Sequence, residues 1–412
     1  MTKVYDKLWP VAVAAGLAVF SPAVHAAQAV GHPSVYTMDV SGMTPSQWNA
    51  IPSVEVMPQL DATRFPVSNF LTHNALPATT TVVPGATAGS MDGVNLDSSP
   101  DAFGNTDGNY LSLAPYTIAR ASASVLGKTA KADEVGVTSA PWRTTGYLYF
   151  STGANTHGAC SASMIAPGLL VTAAHCVYNF GTNSGAGWHT NYVFYPALAD
   201  SSTFIYGTWT ATTEYISSTY YNGSDTCLQK GVSCNNDIAI IVMAKNSSGK
   251  LPGNVLGWYG YGWNGYSFVG SFGGASLASI TQLGYPGAFD GGNTMERNDG
   301  IGGFYSNGNL KQTILGSPMT PGASGGPWLV NFGAQPTVSA LANLGSSASM
   351  SVVGVTSWDT TALGSNVMGA SWFGQNVEFP NASYADTHGN NRGAGNIGFL
   401  VSAACNGFYD HC

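Results

Sequence analysis

TPGASGGPWLV, residues 320–330, sets a serine among glycines. Gly322, Gly325 and Gly326 let the backbone turn tightly around Ser324, an arrangement that presents a nucleophile in more than one hydrolase architecture. The residues after the serine separate those architectures. The nucleophile elbow of an α/β hydrolase runs from a strand, through the serine, into a helix. Here Pro327 leads into WLVNF, a short apolar and aromatic run that reads as a second strand. The serine therefore belongs to a β-scaffold.

Two stretches upstream supply the partners that a serine nucleophile needs. LLVTAAHCVYNF (169–180) carries His175 after a strand-like apolar run, and CNNDIAIIVM (234–243) carries Asp237 at the head of another. A serine hydroxyl is a poor nucleophile at neutral pH until an imidazole accepts its proton. A buried carboxylate then holds the imidazole in the right tautomer and stabilises the imidazolium that forms. The glycines around Ser324 allow the N–H groups of Gly322 and Ser324 to face a developing oxyanion, at roughly 3–4 kcal/mol per donor. Each residue alone has a plainer reading: a hydrogen-bonded core histidine, a turn-capping aspartate, a serine in a glycine-rich turn. Their order and surroundings make the set specific.

The rest of the chain from about residue 143 agrees with a β-scaffold. GYLYFST (146–152), NYVFYPAL (191–198), DIAIIVM (237–243) and SVVGVTSW (351–358) are rich in β-branched and aromatic residues, with Gly/Asn/Ser turns between them. No long stretch has helical periodicity and no internal repeat is present, so an antiparallel sandwich or barrel is expected over an α/β sheet. Residues 30–135 differ: they contain no cysteine and many Pro, Ala, Thr and Ser. DGVNLDSSPDAFGNTDGN (92–109) gathers Asp92, Asp97, Asp101 and Asp107, but the spacing misses that of an EF-hand and reads as a solvated linker. The expected organisation is a signal peptide over 1–26, with Ala29 as the later cleavage point, a prosegment or small N-terminal domain over 27–135, and a catalytic domain over 136–412.

Composition supports export. Charged residues make up 8% of the 412, the formal net charge is −8, and 52 residues are glycine. That balance disfavours nucleic acid and anionic membrane as partners. Lys3 and Lys7 precede the apolar stretch Leu8–Phe20, which is short for a membrane span and is followed by Val24-His25-Ala26 and Ala27-Gln28-Ala29, small-residue cleavage sites. The six cysteines fall as three local couples, Cys160 with Cys176, Cys227 with Cys234 and Cys405 with Cys412. Proximity favours that pairing among the fifteen that six cysteines allow. Each such bridge would stabilise by roughly 2–3 kcal/mol in an oxidising compartment. With no C-x-x-C couple or paired histidines, no metal or other cofactor is expected. His157, His189, His388 and His411 are scattered and read as surface loop residues.

TAAHC (172–176), NNDIAII (235–241) and GASGGP (322–327) resemble the three catalytic blocks of the chymotrypsin-fold serine endopeptidases, in that family's His–Asp–Ser order. GVTSW (354–358) is similar to the strand lining its substrate cleft. GYPG (284–287), with a prosegment and an acidic composition, resembles the secreted microbial members, glutamyl endopeptidases included. The resemblance spans roughly residues 143–402. It implies an all-β double antiparallel barrel, a disulfide between Cys160 and Cys176, and a secreted or periplasmic, monomeric zymogen acting on proteins or peptides and bound by its own prosegment before maturation. Residue by residue, it implies His175 as general base and then acid, Asp237 as its orienting carboxylate and Ser324 as nucleophile. Gly322 and Ser324 would form the oxyanion hole, Ser357 would bond Asp237, and Trp358, Met319 and Thr356 would lie along the substrate site.

The departures carry information too. Trypsin-like members place before the nucleophile an aspartate that pairs with a newly freed N-terminus, and Ala323 cannot make that pair. The glutamyl branch carries a histidine where this chain has Thr356, so glutamyl preference is not expected. Pro318 and Met319 point to a neutral or apolar preference, whereas Asp359 would suit a basic group, and both stay open. Residues 359–395 form a longer connection than the family usually has. Two other readings compete: a catalytically inactive chymotrypsin-fold or other all-β secreted binding protein, and an α/β-hydrolase esterase using Asp386 with His388 or His411. The esterase would leave TAAHC and NNDIAII without a role.

Overall fold

The computed structural model describes residues 140–199, 204–272, 275–332, 350–360, 367–381 and 383–412, with the N-terminal pieces 35–39, 53–54, 57–58, 81–83, 117–121 and Val137. The expected leader, the aspartate run at 92–109 and most of the expected domain boundary lie outside the described residues.

Two closed six-stranded antiparallel barrels form the body of the molecule. The first comprises β1 (Thr145–Gly153), β2 (Thr156–Ala166), β3 (Leu169–Thr172), β4 (Thr190–Pro196), β5 (Trp209–Ser217) and β6 (Ala239–Met243). Its ring closes in the order β1-β2-β3-β6-β5-β4 and back to β1. The second comprises β7 (Ala275–Gly284), β8 (Met295–Asn307), β9 (Leu310–Gly316), β10 (Pro327–Val330), β11 (Ser351–Asp359) and β12 (Val367–Trp372), closing as β7-β8-β9-β12-β11-β10. The four strands expected from sequence are β1, β4, β6 and β11, and WLVNF begins as strand β10. Closure removes the exposed edges of an open sheet and leaves side chains to fill each interior. Phe150, Phe194, Ile216 and Ile240 are buried in the first barrel; Ile280, Phe304, Trp328 and Trp372 are buried in the second.

The N-terminal pieces join both barrels by backbone pairing. Val35–Asp39 runs antiparallel to β5, Ser53–Val54 parallel to β2, and Thr117–Ala121 antiparallel to β8. Thr81–Val83 pairs with Gly260–Trp263, which itself pairs parallel to β11.

A 13-residue helix, α1 (Gly395–Gly407), was not expected from sequence. Three glycines lower its intrinsic propensity, and it is too short to be stable alone. Packing makes it: Ile397, Leu400, Val401, Ala404 and Cys405 are all buried at i, i+3, i+4, i+7, i+8 spacing. The Cys405–Cys412 disulfide ties the residues after it, and the other two bridges also match the expected pairing.

The histidines need a correction. His189 is 1% exposed, stacks on Phe150 at 5.0 Å, and places Nδ1 3.2 Å from the Cys176 carbonyl. His411 is also buried, and His157 lies half-buried on β2; only His388 occupies an exposed loop. A flat imidazole packs in a core once a ring nitrogen finds a backbone partner. Burial pushes the His189 pKa down to about 4 and keeps it neutral.

Glu214, on β5, is fully buried, and neither carboxyl oxygen has a hydrogen-bond partner among the described residues. Burial, with the charge of Asp39 adding to it, raises its pKa well above the ordinary carboxylate value. The folded chain therefore holds a proton there that the unfolded chain releases above about pH 4.3. Stability contributed by this site is present below that pH and declines above it, by up to about 1.4 kcal/mol per pH unit, until the raised pKa is passed. Glu214→Gln is expected to increase the melting temperature relative to the parent by a margin that grows as pH rises above about 4.3 toward the raised pKa. A gap that stays constant across that range in thermal denaturation would contradict a buried neutral acid.

Candidate active site

The first two members of the constellation meet because of strand register. Strands β3 and β6 are antiparallel, with Ala239 opposite Thr172. The residues leaving β3 and those entering β6 therefore emerge at the same end of the pair. His175 lies three positions past Thr172, in the turn Ala174–Cys176, and Asp237 lies two before Ala239. The Cys160–Cys176 bridge ties the histidine turn back to β2. Asp237 Oδ1 accepts the His175 backbone N–H at 2.8 Å, and Oδ2 lies 2.7 Å from His175 Nδ1. The Ser357 hydroxyl, from β11 of the second barrel, donates to Oδ2 at 2.6 Å. All three residues are buried. Acting on Nδ1–H, the carboxylate leaves Nε2 as the basic nitrogen. Nε2 is buried and has no hydrogen-bond partner among the described residues.

Ser324 sits in the turn between β9 and β10, and its Oγ is likewise buried without a described partner. Its backbone is tied to both barrels: the Ser324 carbonyl accepts from Ser161 N–H of β2 at 2.7 Å, and Gly325 N–H donates to the Thr356 carbonyl of β11 at 2.8 Å. Gly325, at φ +75°, lies so close to Thr172 Oγ1, Ser161 O and Ala173 N that no side chain would fit. The neighbour of Ser324 thus packs onto the segment that leads into His175. No direct bond between Ser324 Oγ and His175 Nε2 is present.

The peptide planes beside Ser324 are oriented by their carbonyls. Pro321 O accepts from Gly287 N–H at 2.7 Å, so the N–H of Gly322 points the opposite way, as a trans peptide requires. Ala323 O accepts from Gly326 N–H at 2.9 Å and turns the Ser324 N–H outward in the same manner. Ala323 N–H is itself engaged with Thr320 O at 3.1 Å, whereas no backbone acceptor takes the N–H of Gly322 or Ser324 among the described residues. Gly322 has φ +100°, a conformation that favours glycine. Two N–H donors beside a serine with no backbone acceptor are what an acyl-transfer oxyanion needs.

Behind Asp237, Asp225 accepts from Asn236 N–H at 2.9 Å and from Asn236 Nδ2 at 2.7 Å. Asn376 Nδ2 donates to Asn236 Oδ1 at 2.9 Å, and Glu378 Oε2 accepts from Asn235 Nδ2 at 2.9 Å. Burial, then the charge of Glu378, raises the Asp225 pKa against the lowering effect of the Asn236 bonds. Asn396, at the start of α1, bonds the carbonyls of Asn235 and Trp372, both at 3.0 Å. The turn that leads into Asp237 is thus anchored by the second barrel's return segment and by α1. None of Asp225, Asn376, Glu378 or Asn396 stands out in sequence, because each acts through partners distant in the chain.

Along the expected substrate wall, Thr356 Oγ1 receives bonds from Gln282 Nε2 at 3.0 Å and Trp328 Nε1 at 2.9 Å and donates to Gly326 O at 3.3 Å. Its hydroxyl has no further capacity. Met319 is fully buried. Trp358 is buried as well, clustered with Val232 and Leu228 of the Cys227–Cys234 hairpin, and its Nε1 donates to Gln312 Oε1 at 2.9 Å. The groups of the esterase reading are engaged elsewhere. Burial raises the Asp386 pKa, but bonds from Asn390, Arg392 and His388 outweigh it and hold the carboxyl at about 2. His388 stacks on Tyr409, and His411 Nδ1 lies 2.9 Å from Asp410 Oδ1. Among the described residues, two clusters each bring three potential metal-ligand atoms together, but the sulfurs in both belong to disulfides and offer no thiolate.

Two closed six-stranded antiparallel barrels define the chymotrypsin-type architecture. The family model Trypsin matches residues 133–258. A glutamyl endopeptidase of Bacillus licheniformis is 27% identical over 174 residues, 42% of this chain and 44% of that protein. An extracellular metalloprotease of Bacillus subtilis is 31% identical over 140 residues, 34% of this chain and 39% of that protein. The chain thus spans less than half the length of these curated relatives. Among solved structures, a thermostable serine protease from an extremophilic microorganism covers 56% of this chain and 92% of its own at 22% identity and TM-score 0.43. The protease Anisep of Arthrobacter nicotinovorans covers 57% and 92% at 23% identity and TM-score 0.42.

Proposed function

We propose that this protein is a secreted serine endopeptidase that cleaves peptide bonds through an acyl-enzyme, and that it is made as a precursor. The observation that carries the reading is the His175–Asp237 pair, which leaves Nε2 as a base, together with the two open N–H groups beside Ser324. His175 takes the Ser324 proton as Oγ attacks the scissile carbonyl, and Gly322 and Ser324 N–H hold the oxyanion. His175 then protonates the leaving amine, and a water repeats the sequence to free the acyl group. Ser357 and the His175 backbone N–H hold the Asp237 carboxylate in place.

A neutral residue at the cleaved bond fits best: Thr356, with its hydroxyl fully used, offers a substrate side chain neither charge nor a free donor. The leader-like N-terminus supports export. The backbone pairing of residues 35–39, 53–54 and 117–121 with the barrels supports an N-terminal segment that acts as an intramolecular partner before maturation.

The test is reaction of the processed, folded protein with a fluorophosphonate, and then mass location of the adduct. Labelling is expected at Ser324 and is expected to disappear in His175→Ala. A folded, processed sample that takes no label would favour a non-catalytic binding protein.

A further inference from the structure

We propose that Ser161 is a positioning residue for the oxyanion hole, and that it holds the loop before Ser324 in its working conformation from the opposite barrel. The inference rests on the peptidase reading above. Ser161 lies on β2, directly after the disulfide-bonded Cys160, and is completely buried. All its polar groups are engaged at the joint between the barrels. Its N–H donates to Ser324 O at 2.7 Å, its hydroxyl donates to Gly322 O at 2.9 Å, and the same Oγ accepts from Tyr285 N–H at 2.9 Å. Its carbonyl accepts from Thr172 Oγ1 at 2.9 Å, in the segment leading into His175. One residue thus touches the nucleophile's backbone, the oxyanion glycine, the GYPG segment and the histidine strand.

The position matters because of what Gly322 is free to do. With no side chain and φ +100°, its two flanking peptide planes have alternative orientations that other residues lack. A rotated plane would turn a carbonyl oxygen, in place of an N–H, toward the developing oxyanion. The Pro321–Gly322 plane is pinned by Gly287 N–H on Pro321 O, and the Gly322–Ala323 plane by the Ser161 hydroxyl on Gly322 O together with Ala323 N–H on Thr320 O. Ala323, buried between these planes and Ser324, carries only a methyl group, so no side-chain charge at that position orders the loop. Gly284 permits the close approach, since a Cβ there would lie 3.1 Å from Ala323 Cα and 3.3 Å from Ser161 Oγ. The Ser161 hydroxyl therefore supplies an ordering contact internal to the folded chain and independent of any newly freed N-terminus.

The test compares the parent with Ser161→Ala and Ser161→Thr, using steady-state hydrolysis of a peptide substrate and inhibition by a peptide aldehyde, whose hemiacetal oxygen occupies the oxyanion hole. Fluorophosphonate reaction of the parent at Ser324 is established first, and its failure would overturn the peptidase reading itself. With a reactive parent, Ser161→Ala is expected to lower kcat about 10- to 100-fold, with KM within about twofold and aldehyde affinity weakened in proportion to kcat. Ser161→Thr, which keeps the hydroxyl, is expected to recover most of the loss. Equal kcat and aldehyde affinity in parent and Ser161→Ala would overturn the assignment. So would a loss that falls on KM alone, or one that Ser161→Thr shares in full while both variants melt at the parent temperature.

Discussion

Ser324→Ala is expected to lower kcat by about a million-fold while leaving KM close to that of the parent. The hydroxyl has no structural bond to lose, since Oγ has no partner among the described residues, whereas the backbone bonds that tie Ser324 to Ser161 are unaffected by the side chain. The fold should survive and the nucleophile alone should disappear. Activity at the level the oxyanion hole and binding support by themselves, some thousand-fold above water, would remain. Steady-state kinetics on protein purified with its N-terminal segment removed in trans provides the measurement. If the chain matures by its own activity, mass spectrometry should also find the Ser324→Ala precursor unprocessed. Retention of more than about 1% of parental kcat would exclude Ser324 as the nucleophile.

Asp237→Asn is expected to reduce kcat about ten-thousand-fold at neutral pH, about 5.5 kcal/mol of transition-state stabilisation. The carboxylate accepts from three directions: the His175 backbone N–H, His175 Nδ1 and the Ser357 hydroxyl. An amide offers one oxygen. If that oxygen stays on the backbone N–H, the amide NH₂ faces Nδ1 and drives the ring proton onto Nε2, where a base is needed. The imidazole then keeps its place and loses its function. Fluorophosphonate labelling should slow by a similar factor. A variant that retains a tenth of parental kcat/KM would show that Asp237 does not select the tautomer.

Four of the barrel strands were legible in sequence because each is a short apolar run between turn residues. β1, β4, β6 and β11 lie where the β-branched and aromatic runs predict. Asp237 follows the turn at Asn235–Asn236, and its strand begins only at Ala239. Helix α1 was not legible: its glycines weaken the local signal, and its apolar face has meaning only against the barrel it covers. His189 was misread as a surface residue because the carbonyl that partners it, that of Cys176, lies across a turn rather than beside it.

By itself, the amino-acid sequence pointed to the β-scaffold, favoured the three disulfide couples by proximity, and singled out His175, Asp237 and Ser324 in that order. Those are properties of local spacing and residue type. The Ser357–Asp237 bond between the barrels was implied by the family resemblance. The tertiary structure alone decided that Asp225 and Asn376 brace the turn before Asp237, and that Ser161 holds Gly322 across a gap of 161 residues. Hydrogen bonds act over about 3 Å regardless of separation along the chain. Contacts that arise only when two barrels close against each other therefore leave no periodicity or motif to read.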